Sequence, residues 1–460
     1  MLENFIGQSF RVVPDGVPYY WLIIFPVILI LLSRKLFNLQ LLIIILILVV
    51  PALIHSNSGS VSFGLMYTSL IIFASSFSYA GIKQINFLLP RNFVLFIITL
   101  FLIFFLHSFL VFLFNSDTFH LNRLIISAAG FFTLITSAYI FTYTFSKVGR
   151  DEVAKIMKWT WYFIIFLTII VLIKFAIISP IYKIGTYDLI NIFMEPSFFV
   201  LACLPFFLFK LIVSNSSMRL LLLLALVFLS IALRSTTLII GVGFFFLLLN
   251  YSTIKKKTIF YYLLFLFTFL FIYITFFHSQ LSDLNPIKYI FNRVLDFFKP
   301  ISIETNMSTL AVLNEWHGAI MNSLNTKGLG IGFQQTGIHG FQSYIVNLIY
   351  LQTFMDIGDS LPWNIRFETF VIAPKLISEF GILGILAIFF YLRYFIDSFI
   401  YLSKSVNNKI TSSCYLDILF HSFYILFFIS LFVRGTGYFA VSTFFFLSSV
   451  IYLFFLKNNK

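Results

Sequence analysis

The chain has 460 residues, 60% of them apolar and 10% charged, and carries a formal net charge of +13. A soluble domain has roughly 25% charged residues, and here the basic residues sit in short stretches between long apolar runs, so a soluble enzyme and a nucleic-acid-binding surface are both excluded. The runs are unbroken over about 20 residues instead of alternating over about 10, which selects membrane helices over a barrel.

The first apolar run, near Tyr19 to Leu32, has only Arg11 before it and no small-residue cleavage site after it, so it is expected to stay as an anchor. Spans are predicted over 18–32, 37–54, 63–81, 92–114, 122–145, 159–179, 196–213, 220–233, 235–250, 258–277, 370–392, 415–433 and 438–456. The expected fold is all-α, a polytopic bundle of about 13 (12–14) transmembrane helices forming one integral membrane domain. Ten helices fall within 1–277 and three within 370–460, with one long extramembrane segment over 278–369. The 65 Phe read as span filler, because Phe and Leu rank alike in hydrocarbon.

More than half of the 30 Lys and Arg lie in alternate loops, among them Arg34, Lys83, Lys147, Arg150, Lys210, Arg219, Lys255, Lys404 and Lys457. The positive-inside rule makes that side cytoplasmic and puts the N-terminus and the 278–369 segment outside. Within that segment "LNPIKYIFNRVLDFFK" has an apolar stripe suited to a helix on the membrane surface. A second helix is expected to begin at Ser308 and to be stopped by Gly328, and a third lies within "SYIVNLIYLQTFMDIG". The glycines of "GLGIGFQQTG" are expected to shape a tight loop; the stretch lacks the Gly-Lys-Ser/Thr that a nucleotide site needs.

Five places carry candidate chemistry. Glu195 stands at the mouth of the span that starts at Pro196. It reads either as a helix cap and nothing more, or as a general base at the membrane–water boundary. Arg234 sits at the tip of a short hairpin, since Leu220 to Leu233 gives only about 21 Å of helix against a core of about 30 Å. It either snorkels to headgroups or forms an anion site, with Ser235, Thr236 and Thr237 adding hydroxyls. The outer segment supplies Arg293, His317, His339, Arg366 and Glu368, and Arg123 lies at the outer end of another span. His107, Asp417 and His421 are the residues a transporter would use. Cys203 and Cys414 lie at different depths and are not expected to pair, and no metal-ligand spacing is present.

Four stretches taken together resemble the O-antigen polymerases of the Wzy type, within the superfamily they share with O-antigen ligases. "MEPSFF" at 194–199 is similar to that family's Glu-Pro-Ser motif. "LSIALRSTTLIIG" at 229–241 is similar to its Ser-x-Arg turn, "TKGLGIGF" at 326–333 to its Gly-rich loop, and "ISEFGILGILAIFFYL" at 377–392 to the start of the following span. The resemblance covers about residues 190–395. In one respect the chain departs from the pattern: "RFETFVIAPKLISEFG" has no His where the family has His-Asn before Glu-x-Gly.

The resemblance implies a GT-C-like glycosyltransferase with a large periplasmic loop, in the bacterial inner membrane. Such an enzyme joins undecaprenyl-diphosphate-linked oligosaccharides at the periplasmic face and uses no cofactor. Membrane lipids and a chain-length regulator are its expected partners. Arg234, Arg293 and Arg123, with Ser235, would hold the diphosphate, and Glu195 or His339 would take the acceptor proton. A ligase acting on lipid A core would use the same fold, and a flippase for lipid-linked oligosaccharides would have a similar span count.

Overall fold

The computed structural model describes residues 39–53, 69, 72, 90–114, 119–173, 196–233, 235–251, 301–302, 305, 307–336, 345, 371–407, 414–435 and 437–457. The described elements are all helical. In chain order they are α1 (Leu39–Leu53), α2 (Arg91–Phe114), α3 (Leu121–Ser146), α4 (Arg150–Leu172), α5 (Pro196–Val213), α6 (Ser216–Ala232), α7 (Thr236–Asn250), α8 (Met307–Asn325), α9 (Ile372–Phe380), α10 (Ile382–Asn407), α11 (Tyr415–Phe432) and α12 (Val441–Ile451). A π-helical turn, Tyr452–Leu456, ends α12. Six of these helices are long and apolar enough to cross a membrane.

Burial sorts the helices into a centre and a rim. In α5, 72% of the apolar window is buried, against 17% in α2. Phe206 of α5, Phe423 of α11 and Phe445 of α12 interlock at the centre, with Phe423 and Phe445 stacked at 4.4 Å. On the rim, Leu102, Phe105 and Leu106 of α2, and Ile385, Phe389 and Ile396 of α10, point outward and exposed. Such a girdle matches hydrocarbon, where apolar side chains need no cover.

Local chemistry fixes the helix starts. Pro196 opens α5, as its preset φ and missing N–H favour. Asn215 caps α6 by accepting from Met218 N at 3.0 Å, so that helix has 17 residues and starts four earlier than its apolar run predicts. Helix α4 likewise begins at Arg150, not at 159, because Asp151 and Glu152 suit a first turn that hydropathy alone misses.

The span predicted over 370–392 is not one helix. It breaks at Gly381, where φ is +55° and ψ is −124°. A Cβ there would collide with the Gly328 carbonyl, which accepts a hydrogen bond from Ile382 N at 2.8 Å. The helix that leads to Gly328, α8, starts at Met307 and ends at Asn325 before the chain turns at Gly328, close to the predicted limits. The surface helix over 287–298 and nearly all of the "SYIVNLIY" stretch lie outside the described residues.

Contacts between helices orient the bundle. Arg219 donates to Val406 O, Lys457 pairs with Asp417 at 3.2 Å, and the Phe209 ring packs on Tyr415, so these all share one end. Arg91, Lys147, Arg150, Lys210, Arg219 and Lys404 belong to that end by chain direction. The opposite end gathers the start of α5, the α6–α7 turn, the loop after α8, the α9–α10 junction and the α11–α12 connection. Cys203, buried in α5, and Cys414 form no disulfide with one another.

Candidate active site

At the less basic end the loop after α8 is strapped across the C-terminus of α9. The last carbonyls of a helix have no partner within it. Here Ile331 N donates to Ser378 O at 2.9 Å and Gly332 N to Glu379 O at 3.0 Å. Such close backbone approach requires glycine: a Cβ on Gly330 would lie 2.5 Å from Glu379 O. Asn322 Nδ2 donates to Ser378 Oγ at 2.8 Å, and Glu315 Oε2 accepts from Val371 N at 2.9 Å, so α8 holds both ends of α9.

Two further ties lock the loop to the bundle. On α2, the His107 Nε2 lies 2.9 Å from Leu329 O, with the imidazole ring against Phe380. Gln335 meets His120 through both backbone groups, accepting from His120 N at 3.1 Å and donating to His120 O at 3.3 Å. The Gly-rich stretch is therefore a tight loop, as expected, and is held on three sides.

Beneath it lies a buried polar cluster. Lys375 and Glu379 are four residues apart on α9, so they share one face. Both are buried, at 1% and 0% exposure. Thr336 Oγ1 donates to Glu379 Oε1 at 2.7 Å. Lys375 Nζ donates to Gln334 Oε1 at 3.2 Å and lies 5.1 Å from the centre of the Tyr438 ring. The Lys375 charge faces the Glu379 carboxyl. The Tyr438 hydroxyl and the Gln334 backbone N–H also bond the Glu379 carboxyl, while Gln334 Nε2 has no hydrogen-bond partner among the described residues. Gln334 also holds φ at +58°, a region that side-chain-bearing residues adopt rarely. The carboxyl thus sits among an ammonium, two hydroxyls and an amide, a dense polar centre inside an otherwise apolar bundle.

The residues singled out in the sequence are placed unevenly. Glu195, Arg234, Arg293 and His339 lie outside the described residues. The backbone of Arg123 is in the first turn of α3, and its side chain is outside the description. Ser235 is the cap of α7 and accepts from Leu238 N at 3.3 Å; its backbone N–H donates to Ser230 O, so its hydrogen bonds stay within the hairpin. Asp417 accepts from the Tyr452 hydroxyl at 2.8 Å and pairs with Lys457, while His421 Nδ1 lies 3.0 Å from Ser398 Oγ. Lys375, Gln334, Thr336 and Glu379 entered the sequence reading only as letters of quoted stretches, and Tyr438 only as the first residue of a predicted span. The signal that would have found them is the polar pair Lys375 and Glu379, at helical spacing, inside an otherwise apolar run. No family model, curated protein or solved structure matches the chain.

Proposed function

We propose that the chain is an O-antigen polymerase of the Wzy type. It joins undecaprenyl-diphosphate-linked oligosaccharide repeat units at the periplasmic face of the bacterial inner membrane. In this reading the whole chain forms about 13 spans in a GT-C-like arrangement, and residues 278–369 form the periplasmic segment. A hydroxyl of the next lipid-linked unit attacks the anomeric carbon of the growing glycan, and undecaprenyl diphosphate leaves. Arg234, Arg293 and Arg123 are the candidates for binding the diphosphate, because guanidinium groups grip phosphate oxygens bidentately. From the sequence, the proton acceptor is Glu195 or His339. The lipid-linked bond already holds the energy, so the reaction calls for no nucleotide.

One observation carries this reading. The described residues of the four stretches on which the resemblance rests lie toward one end of the bundle, and two of the stretches, 326–333 and 377–392, are hydrogen-bonded backbone to backbone. The basic residues gathered at the opposite end favour a cytoplasmic placement for that end. A lipopolysaccharide gel from a strain lacking the chain tests the reading. A polymerase deletion loses the ladder and keeps one repeat unit. Loss of every repeat points to a ligase instead, and repeat units stranded on the cytoplasmic side point to a flippase. Arg234→Ala should collapse the ladder with the protein still inserted, and Arg234→Lys should rescue it poorly.

A further inference from the structure

We infer that the outer face of α10 that carries Arg393 and Asp397 docks against the same face of a second copy of the chain, where the two copies exchange Arg–Asp ion pairs. The inference goes beyond the polymerase reading and rests only on the bundle's crossing a membrane.

The span predicted over 370–392 stops just short of Arg393, but α10 runs on to Asn407. Arg393 therefore lies inside a helix long and apolar enough to cross a membrane. Its depth follows from the neighbouring helix. The Tyr391 hydroxyl donates to Tyr424 O at 3.2 Å and the Tyr424 hydroxyl to Tyr391 O at 3.3 Å, so the two residues stand level. Tyr424 is halfway along α11. Arg393 follows Tyr391 by two residues, about 3 Å along the axis, and Asp397 by six, about 9 Å. Arg393 is thus near the middle of the bundle, and Asp397 lies between there and the basic end.

Both side chains face outward. Ile382, Leu386, Phe389, Arg393 and Ile396 follow one another at steps of four and three, and Asp397 comes four after Arg393, so they share one face of α10. All six are exposed. Neither Arg393 nor Asp397 has a hydrogen bond or ion pair with a described residue.

Charges at that depth are costly against hydrocarbon. Snorkelling gives little relief, because helix side chains lean toward the helix N-terminus, and Arg393 lies eleven residues, about 16 Å, from the start of α10. The same lean carries Asp397 away from the basic end. A partner must therefore bring a carboxylate to Arg393 and a cation to Asp397. An anionic lipid headgroup meets the first need and is repelled by Asp397. A second copy meets both. Copies related by a two-fold axis along the membrane normal present the same face at the same depth. Each Arg393 is then one helical turn, about 6 Å of rise, from the other copy's Asp397, and Leu386, Phe389 and Ile396 pack around the pairs.

The test uses the full chain in cell membranes. Ile396→Cys, combined with Cys414→Ser and with the buried Cys203 left in place, should be oxidised by copper phenanthroline to a covalent dimer of the chain. Leu102→Cys, similarly exposed but on α2, is the control and should stay monomeric. Arg393→Asp and Asp397→Arg, each added to Ile396→Cys, bring like charges together and should lower the dimer yield about tenfold. Co-expressed with different tags, these two variants should cross-link to one another at the original yield, since each supplies the charge the other lacks. Absence of a dimer from Ile396→Cys, the outcome if lipid or another segment of the same chain covers the face, overturns the inference. An equal yield from Leu102→Cys, an adduct with a different protein, or an undiminished yield in both single charge variants also overturns it. If the charge variants do not accumulate, the comparison of Ile396→Cys with Leu102→Cys, both with native charges, decides alone.

Discussion

Replacing Gly381 with Ala tests the junction between α9 and α10. The residue holds φ at +55° and ψ at −124°, outside the regions open to alanine, and such backbone costs about 1–3 kcal/mol. The new Cβ would also run into the Gly328 carbonyl, so the bond from Ile382 N to that oxygen must lengthen or break. Losing it adds about 0.5–1.5 kcal/mol. Together these come to about 3 kcal/mol, or roughly a hundredfold in the unfolding equilibrium. Gly243→Ala is the matched control: it lies within α7, where a Cβ would meet nothing within 4 Å. Alanine is there expected to be neutral, or stabilising by up to about 1 kcal/mol. Denaturant unfolding of the purified protein in detergent, followed by tryptophan fluorescence, compares the two. Equal stability for both variants would mean that the Gly328 carbonyl does not lie against residue 381, and the strapped junction would be refuted.

Arg219→Lys should destabilise the protein by about 1–3 kcal/mol in the same assay, because Arg219 donates to Leu211, Ile212, Ser214 and Val406 carbonyls and a single ammonium cannot span them; a loss under about 0.5 kcal/mol would leave the cap without energetic weight. Glu195→Gln separates cap from base. With Glu195 as the base it should collapse the ladder to one repeat at normal protein level, and a near-normal ladder would leave Glu195 a cap and move the base to His339. In intact spheroplasts, an impermeant thiol reagent should modify a cysteine introduced at Gln342 and leave one at Lys256 untouched; the reverse pattern inverts the topology.

Much of the bundle is legible as apolar runs, and α5 begins at Pro196 where the sequence puts it. What escaped was set by polar detail that averaging over an apolar window hides. Asn215 lengthens α6 and the acidic first turn lengthens α4. The break at Gly381 is invisible to hydropathy because the residues after it, Ile382 to Ile385, are as apolar as a continuing helix. The site was legible at its glycines, whose spacing signals a tight loop, but not at Tyr438. That tyrosine reaches the cluster from a connection about sixty residues downstream of α9, and no periodicity links the two.

The π-helical turn at the end of α12 sets a rule about length. In α-helical geometry five residues advance about 500°, which would leave Tyr452 and Lys457 about 140° apart around the axis. Bonding of the i→i+5 type brings such a pair nearly over one another, and the two side chains meet the same carboxylate: Tyr452 at Asp417 Oδ1 and Lys457 at Oδ2. Chain length between them thus acts as a vernier. Ordinary winding over the same five residues would swing the lysine away from Asp417, whereas removing one residue together with the π turn would leave the pair four apart, about 40° from one another on one face.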